Sequence, residues 1–167
     1  MGSGKTTVGR HLAKLRGLRF IDADVELEAR TGVDIPFIFE KEGEQGFRDR
    51  EELIIDDLTQ QDGVVLATGG GCVLRPVNRA HLSTRGLVVY LHTEVEQQWR
   101  RTRKSHHRPL LQQANPKKIL KELMALRDPL YRETADLIIP SRQQSAKALA
   151  ARISQAIDAL EPSDKSP

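Results

Sequence analysis

The first seven residues, Met1-Gly2-Ser3-Gly4-Lys5-Thr6-Thr7, constrain this chain more than any other stretch, because they run straight into a helical pattern from Val8 to Arg16. In the pattern GxxxxGK(S/T), glycines let backbone N–H groups curl around a phosphate chain, Lys bridges the β and γ phosphates, and Ser or Thr holds Mg²⁺. Gly4, Lys5 and Thr6 fill its last three places, and the following helix aims its partly positive N-terminus at the same anion. The pattern's first Gly would stand two residues before Met1, and the apolar strand that feeds such a loop before that. The chain therefore starts inside its own motif. The expectation is that Met1 is an internal methionine and that the natural chain begins about 10 or more residues upstream.

At 167 residues the chain has the size of one domain, with 38% hydrophobic and 29% charged residues. No apolar run approaches the roughly 20 residues of a membrane span. Cys72 is the single cysteine, which precludes an internal disulfide and suits a buried filler role. No secretory signal is legible, so a cytoplasmic protein is expected. Net charge is +3, from 26 Lys and Arg against 23 Asp and Glu, and aromatic residues make up 4%. A nucleic-acid binder would show a basic stripe with stacking aromatics, so none is expected, and a monomer is.

Val8, Leu12 and Leu15 recur at helical spacing until Gly17 caps the helix. Leu18-Arg19-Phe20-Ile21 reads as a strand ending at Asp22-Ala23-Asp24, followed by helical Val25 to Arg30. A helical turn starting at Pro36 leads through Gly43 into a long helix from Glu44 to Gln61, with Phe47, Leu53, Ile54 and Leu58 facing inward. Val64-Val65-Leu66-Ala67-Thr68 and Leu87-Val88-Val89-Tyr90-Leu91 read as strands covered on both faces. The first ends at Gly69-Gly70-Gly71. Helices are expected at Pro76–Ser83, Glu94–Lys104, Lys117–Arg127 (interrupted by Asp128-Pro129) and Ser145–Leu160, with a strand at Leu137–Ile139. The domain should span 1–160, ahead of a disordered tail at 161–167. Alternating short apolar strands and helices argue an α/β fold with a doubly wound parallel sheet and ligands at the strands' carboxyl ends. The cradle, the Asp pair and the glycine triplet all fall at such ends.

Each cluster has a bland reading. Asp22 and Asp24 would cap the next helix, the three glycines would form a permissive turn, and Arg48 and Arg127 would lie on the surface. Beside a phosphate loop, however, one carboxylate is needed to order Mg²⁺ and another to position or deprotonate an acceptor hydroxyl. Asp22 suits the first task and Asp24 the second. Three glycines at a strand end let a small polar ligand touch bare backbone. The segment 105–113, with the basic residues around it, reads as a mobile lid bringing a guanidinium over the phosphates. His106 and His107 lack a third ligand at a suitable spacing and read as solvated.

Taken in order, Asp22-Ala23-Asp24, Gly46-Phe47-Arg48-Asp49-Arg50-Glu51, Ala67-Thr68-Gly69-Gly70-Gly71, Arg108-Pro109-Leu110-Leu111 and Arg127-Asp128-Pro129-Leu130-Tyr131 resemble the bacterial shikimate kinases. The resemblance runs from Met1 to about Leu160. It implies a three-layer P-loop fold of the nucleoside-monophosphate-kinase type, substrate-binding helices at about 24–61, and ATP, Mg²⁺ and shikimate as ligands. By position, Asp24, Arg48, Gly70, Gly71 and Arg127 match shikimate contacts, the two arginines holding the carboxylate, with Glu51 steadying Arg48. Gly2, Ser3, Gly4, Lys5, Thr6 and Thr7 match the nucleotide cradle, Arg101 a residue against adenine, and Arg108 the lid arginine. Thr6 and Asp22 match the Mg²⁺ ligands, and Lys5, Asp24 and Arg108 the catalytic set. Phe37 departs from the pattern, standing where a smaller or acidic residue is expected.

The resemblance also implies that the strand preceding the cradle lies at the centre of the sheet, between 64–68 and 87–91. Without it the chain should show either an empty central slot or two strands drawn together. The activity implied is transfer of the γ-phosphate of ATP to the 3-hydroxyl of shikimate. The alternatives are a gluconate-type sugar-acid kinase, which the Arg127 to Tyr131 motif disfavours, and a truncated nucleotide-binding protein without turnover.

Overall fold

Glycines punctuate the chain where the pattern places them. In a computed structural model, which describes residues 2–103, 115–141 and 144–160, Gly4 takes a left-handed φ of 84° as N-cap of α1 (Lys5–Arg16). Gly17, at φ 66°, closes that helix by donating its N–H to the Ala13 carbonyl. β1 (Arg19–Asp22) feeds α2 (Ala23–Thr31), which leads to α3 (Ile35–Leu58). Gly43, at φ 70° and ψ −173°, kinks α3 at the junction anticipated between its two parts. There follow β2 (Val64–Ala67), a 3₁₀ turn (Cys72–Leu74), α4 (Pro76–Arg85), β3 (Val89–His92), α5 (Val95–Thr102), α6 (Pro116–Thr134), β4 (Leu137–Pro140) and α7 (Ala146–Leu160).

The strands are parallel, as α/β alternation requires, but among the described residues they do not form one continuous sheet. β1 pairs with β2 from Arg19↔Val64 to Asp22↔Ala67, and β3 pairs with β4 from Val89↔Leu137 to His92↔Pro140. β2 and β3 share no ladder. Between them opens a cavity of about 660 Å³, lined from the strand starts at Gly63 and Val88 to the strand ends at Thr68 and Thr93. Of the two outcomes expected, the slot is the one found. It also explains why β2 and β3 are not sealed on both faces: most of their residues are half-buried because one edge of each borders empty volume.

Two apolar cores flank this opening. Ala23, Leu27, Ile38, Phe47, Ile54, Ile55, Leu58, Cys72 and Val73 join α2, α3 and the 3₁₀ turn. Val8, Leu12, Ile139, Leu149, Ala150 and Ile153 join α1, β4 and α7. Leu15 and Leu53 do not take the inward places expected of them; they are 57% and 72% exposed. In α3 the neighbouring Ile54 and Ile55 already fill the buried stripe, and Leu53 falls one step outside it.

The interruption expected at Asp128-Pro129 is not seen either. α6 runs through Pro129 to Thr134, although proline removes one backbone donor and crowds the preceding turn. Anchors on both sides of the proline hold the helix: Arg127 is buried before it, and Leu130 and Tyr131 pack on the first core after it.

Candidate active site

The strand ends bring together residues far apart in sequence. β1 ends at Asp22, whose side chain caps α2 by accepting from the Asp24 N–H at 3.2 Å. Capping does not remove the pair from the candidate site: Asp22 caps α2, and Asp24, in its first turn, lies beside Gly69 of the glycine loop. A Cβ on Gly69 would lie 2.7 Å from Glu51 Oε1 and 3.0 Å from Asp24 Oδ1. One on Gly71 would fall 2.3 Å from the Arg48 guanidinium. The triplet is thus glycine because two carboxylates and an arginine are packed against its backbone, and any side chain would displace them.

Arg48 and Arg127, which looked like surface residues in isolation, are 8% and 7% exposed. Arg48 donates to Glu51 at 2.6 Å and to Glu44 at 3.2 Å, and stands over the Phe47 ring. The Nε of each arginine and Glu51 Oε1 are buried without a partner among the described residues. Buried unpaired groups of this kind are costly unless a ligand completes them. The donors and their forked geometry suit a carboxylate.

Burial, with Asp22 beside it, pushes the Asp24 carboxyl above the usual carboxylate range, against the pull of Lys5 and Arg48. Glu51 is raised as well, because burial outweighs the attraction of Arg48. The Cys72 thiol beneath the loop is pushed up to about 11 by burial, which with its 1% exposure leaves it the inert filler expected.

On the other side of Asp22, the cradle residues Gly2, Ser3, Gly4, Lys5, Thr6 and Thr7 curl into the start of α1. Thr6 donates its hydroxyl to Asp22 Oδ2 at 2.8 Å. This pair of hard oxygen donors suits Mg²⁺, which takes one or two protein oxygens and completes its shell with water and substrate phosphates. Arg101 donates to the carbonyl oxygens of Gly2 and Ser3 and to Ser141 Oγ, so it lies against the rim of the cradle. Arg108 and the lid at 105–113 lie outside the described residues, as does the tail at 161–167.

Sequence reasoning missed two supports. Asn78, fully buried on α4, donates its amide to the Cys72 carbonyl and so fastens the end of the glycine loop. No pattern in the sequence announced it. Tyr131 donates its hydroxyl to the Gly70 carbonyl; its i+4 spacing from Arg127 was the available signal.

A sequence model of the family described as shikimate kinase matches residues 1–158. The chain is 57% identical over 157 residues to the shikimate kinase of Acinetobacter baylyi, spanning 94% of this chain and 87% of that one. It is 53% identical over 161 residues to that of Pasteurella multocida, spanning 96% and 92%. Among solved structures, shikimate kinase from Acinetobacter baumannii in complex with shikimate superposes with a TM-score of 0.94 at 52% identity, over 97% of this chain and 90% of that one. Shikimate kinase from Aquifex aeolicus gives 0.84 at 32% identity, over 96% and 93%.

Proposed function

The chain belongs to the shikimate kinase family, and we propose that it transfers the γ-phosphate of ATP to the 3-hydroxyl of shikimate with the residues gathered above. The observation that carries this reading is the convergence of two buried arginines, Arg48 and Arg127, with Asp24 on one glycine loop. That cluster offers two forks for a carboxylate and one base for a hydroxyl, which is what a small hydroxy acid needs.

Arg48, held by Glu51, and Arg127 bind the acceptor's carboxylate, while the backbone of Gly70 and Gly71 allows the ring to approach. Asp24 accepts the proton of the attacking hydroxyl. The oxygen–phosphorus bond forms as the bond to the β-phosphate oxygen breaks, and ADP leaves with that electron pair. Burial favours the base: a carboxylate raised above its ordinary value accepts a proton more readily than an unperturbed one. Lys5 and the cradle N–H groups hold the phosphate chain, and Arg108 would contribute a second positive charge to the phosphates. Thr6 and Asp22 would hold Mg²⁺, which supplies charge neutralisation between the phosphates when bound. Arg101, at the cradle rim, flanks the nucleotide. The contribution is mostly positioning and electrostatic stabilisation.

No helix among the described residues is long and apolar enough to cross a membrane. The reading further includes a monomer working in the cytoplasm without nucleic acid, and sedimentation tests its oligomeric part. The activity is tested by following ADP release with ATP and Mg²⁺ in the presence of shikimate or of gluconate. Release that depends on shikimate alone is expected. Release with gluconate alone, or with neither acid, overturns the reading.

A further inference from the structure

Helix α6 carries two i,i+4 pairs one residue out of phase, and they do different things. Asp128 and Arg132 form an ion pair at 2.7 Å, and Asp128 also accepts from the Tyr90 hydroxyl of β3 at 2.8 Å. This pair seats the helix against β3. Arg127 and Tyr131 occupy the neighbouring stripe and turn toward the glycine loop. There the Tyr131 hydroxyl donates to the Gly70 carbonyl. A Cβ on Gly70 would lie 3.2 Å from that hydroxyl and 3.8 Å from Arg127 Nη1.

A phenol has one proton to donate. Since Tyr131 gives it to Gly70, the oxygen has only lone pairs left to present to a second neighbour. The Arg127 guanidinium is that neighbour, and its attraction partly offsets the burial that raises the phenol. The ring itself is fixed by packing: it lies 4.8 Å from the Tyr90 ring and against the core beneath α3. One side chain thus donates to the Gly70 backbone and stands on the same side of that residue as Arg127, two of the groups proposed above to hold the acceptor.

We infer that Tyr131 is a positioning residue for the acceptor: its hydroxyl clamps Gly70 and orients the Arg127 guanidinium, setting the geometry in which the acceptor's carboxylate is received. This rests on the proposed function of the same site. Tyr131 transfers no proton and touches no phosphate, so its loss falls on acceptor binding.

The test is steady-state kinetics of Tyr131→Phe with each substrate varied in turn, beside Tyr90→Phe as the control. Tyr131→Phe keeps the ring and its packing, so folding is preserved and only the hydroxyl is lost. The KM for shikimate should rise about 3- to 10-fold, the value of roughly one net hydrogen bond. The KM for ATP and kcat should stay within about 2-fold, a split that a loosened fold would not produce. Tyr90→Phe breaks the bond to Asp128 but leaves Gly70 clamped, and its KM for shikimate should remain near that of the parent. In a double-mutant cycle the Tyr131→Phe and Arg127→Ala effects on that KM should be less than additive, because both act through the same fork. An unchanged KM for shikimate in Tyr131→Phe overturns the inference, as does an equal rise in both KM values or an equal shift in Tyr90→Phe. If the parent protein does not phosphorylate shikimate at all, the functional reading fails instead, so the two failures are distinguishable.

Discussion

The α2–α3 side of the candidate site and the sheet centre meet at the same strand ends, yet one is closed and the other open. Around the acceptor loop, Arg48 and Glu51 are buried and paired, Asn78 and Tyr131 fasten the backbone, and the core of α2 and α3 lies directly beneath. Between β2 and β3 a cavity of about 660 Å³ replaces a shared ladder. Arg48 and Glu51 stand on α3 beside Phe47 and Ile54 of the first core, whereas Gly69, Gly70, Arg127 and Tyr131 border the cavity and are held by α6 and the bond from Tyr131 to Gly70. The cradle differs, since its residues lead directly out of the region where the sheet is open.

The sharpest way to break that contrast is to remove the proposed base, Asp24, from the closed side. Asp24→Asn should cut kcat by about 10²- to 10⁴-fold, the usual worth of a positioned general base, while the fold and ATP binding are kept. Near-parental kcat would remove Asp24 from the chemistry. A pH dependence follows from the same group. A carboxyl raised in the folded protein binds its proton more tightly there than in the unfolded chain. Its favourable contribution is complete below the ordinary value of 3.8 and is lost as pH rises through the raised folded value. Ionised Asp24 is therefore a cost at neutral pH, and Glu51, raised in the same direction, adds to it. Asp24→Asn should thus melt at a higher temperature than the parent at pH 7, with the gain disappearing toward pH 4. The acid limb of kcat/KM in the parent should lie above the ordinary carboxylate range. An inactive variant with a lower melting temperature at pH 7 would show that the carboxylate is structurally favourable.

The closed core beneath the cluster gives the next effect. Leu27 is 1% exposed on α2, and Leu27→Ala should cost about 2–5 kcal/mol by chemical denaturation, as transfer and cavity terms add in a core that does not collapse. Arg127→Ala should raise the KM for shikimate about 10- to 100-fold, since a charge-assisted hydrogen bond is worth roughly 1.5–3 kcal/mol. An unchanged KM would mean that the carboxylate is held elsewhere.

The closed side was also the more legible one in the sequence. Asp22, Asp24 and the glycine triplet could be placed together because each ends a short apolar run, and strand ends converge in a parallel fold. The burial of Arg48 and Arg127 could not be read from spacing, because alone each arginine reads as a surface residue and only the packed fold encloses it. The family motifs supplied those two. Leu53 was misplaced because a three-residue apolar run at 53–55 does not say which member leaves the stripe. Pro129 misled because local propensity forbids what tertiary anchors on both sides enforce. The open centre was expected only through the resemblance, since neither β2 nor β3 shows in its own residues which strand it pairs with.

The smallest effect tests the comparison most directly, because it repeats the leucine truncation on the open side. Leu91 lies in β3, half-buried, and lines the cavity. In a closed core, Leu→Ala creates a new hole whose lining loses its contacts. Beside an existing cavity much of that loss has already been incurred, and less apolar area returns to water on unfolding. At roughly 25 cal/mol per Å², a side chain covered on only part of its surface is worth about 1 kcal/mol. Leu91→Ala should therefore cost about 1 kcal/mol or less, well below Leu27→Ala, with an unchanged denaturant slope. If the two variants lose equal stability, the slot is filled or closed in solution, and the contrast between the two regions fails. If Leu91→Ala is the cheaper by 2-fold or more, β2 and β3 remain separated around unfilled space.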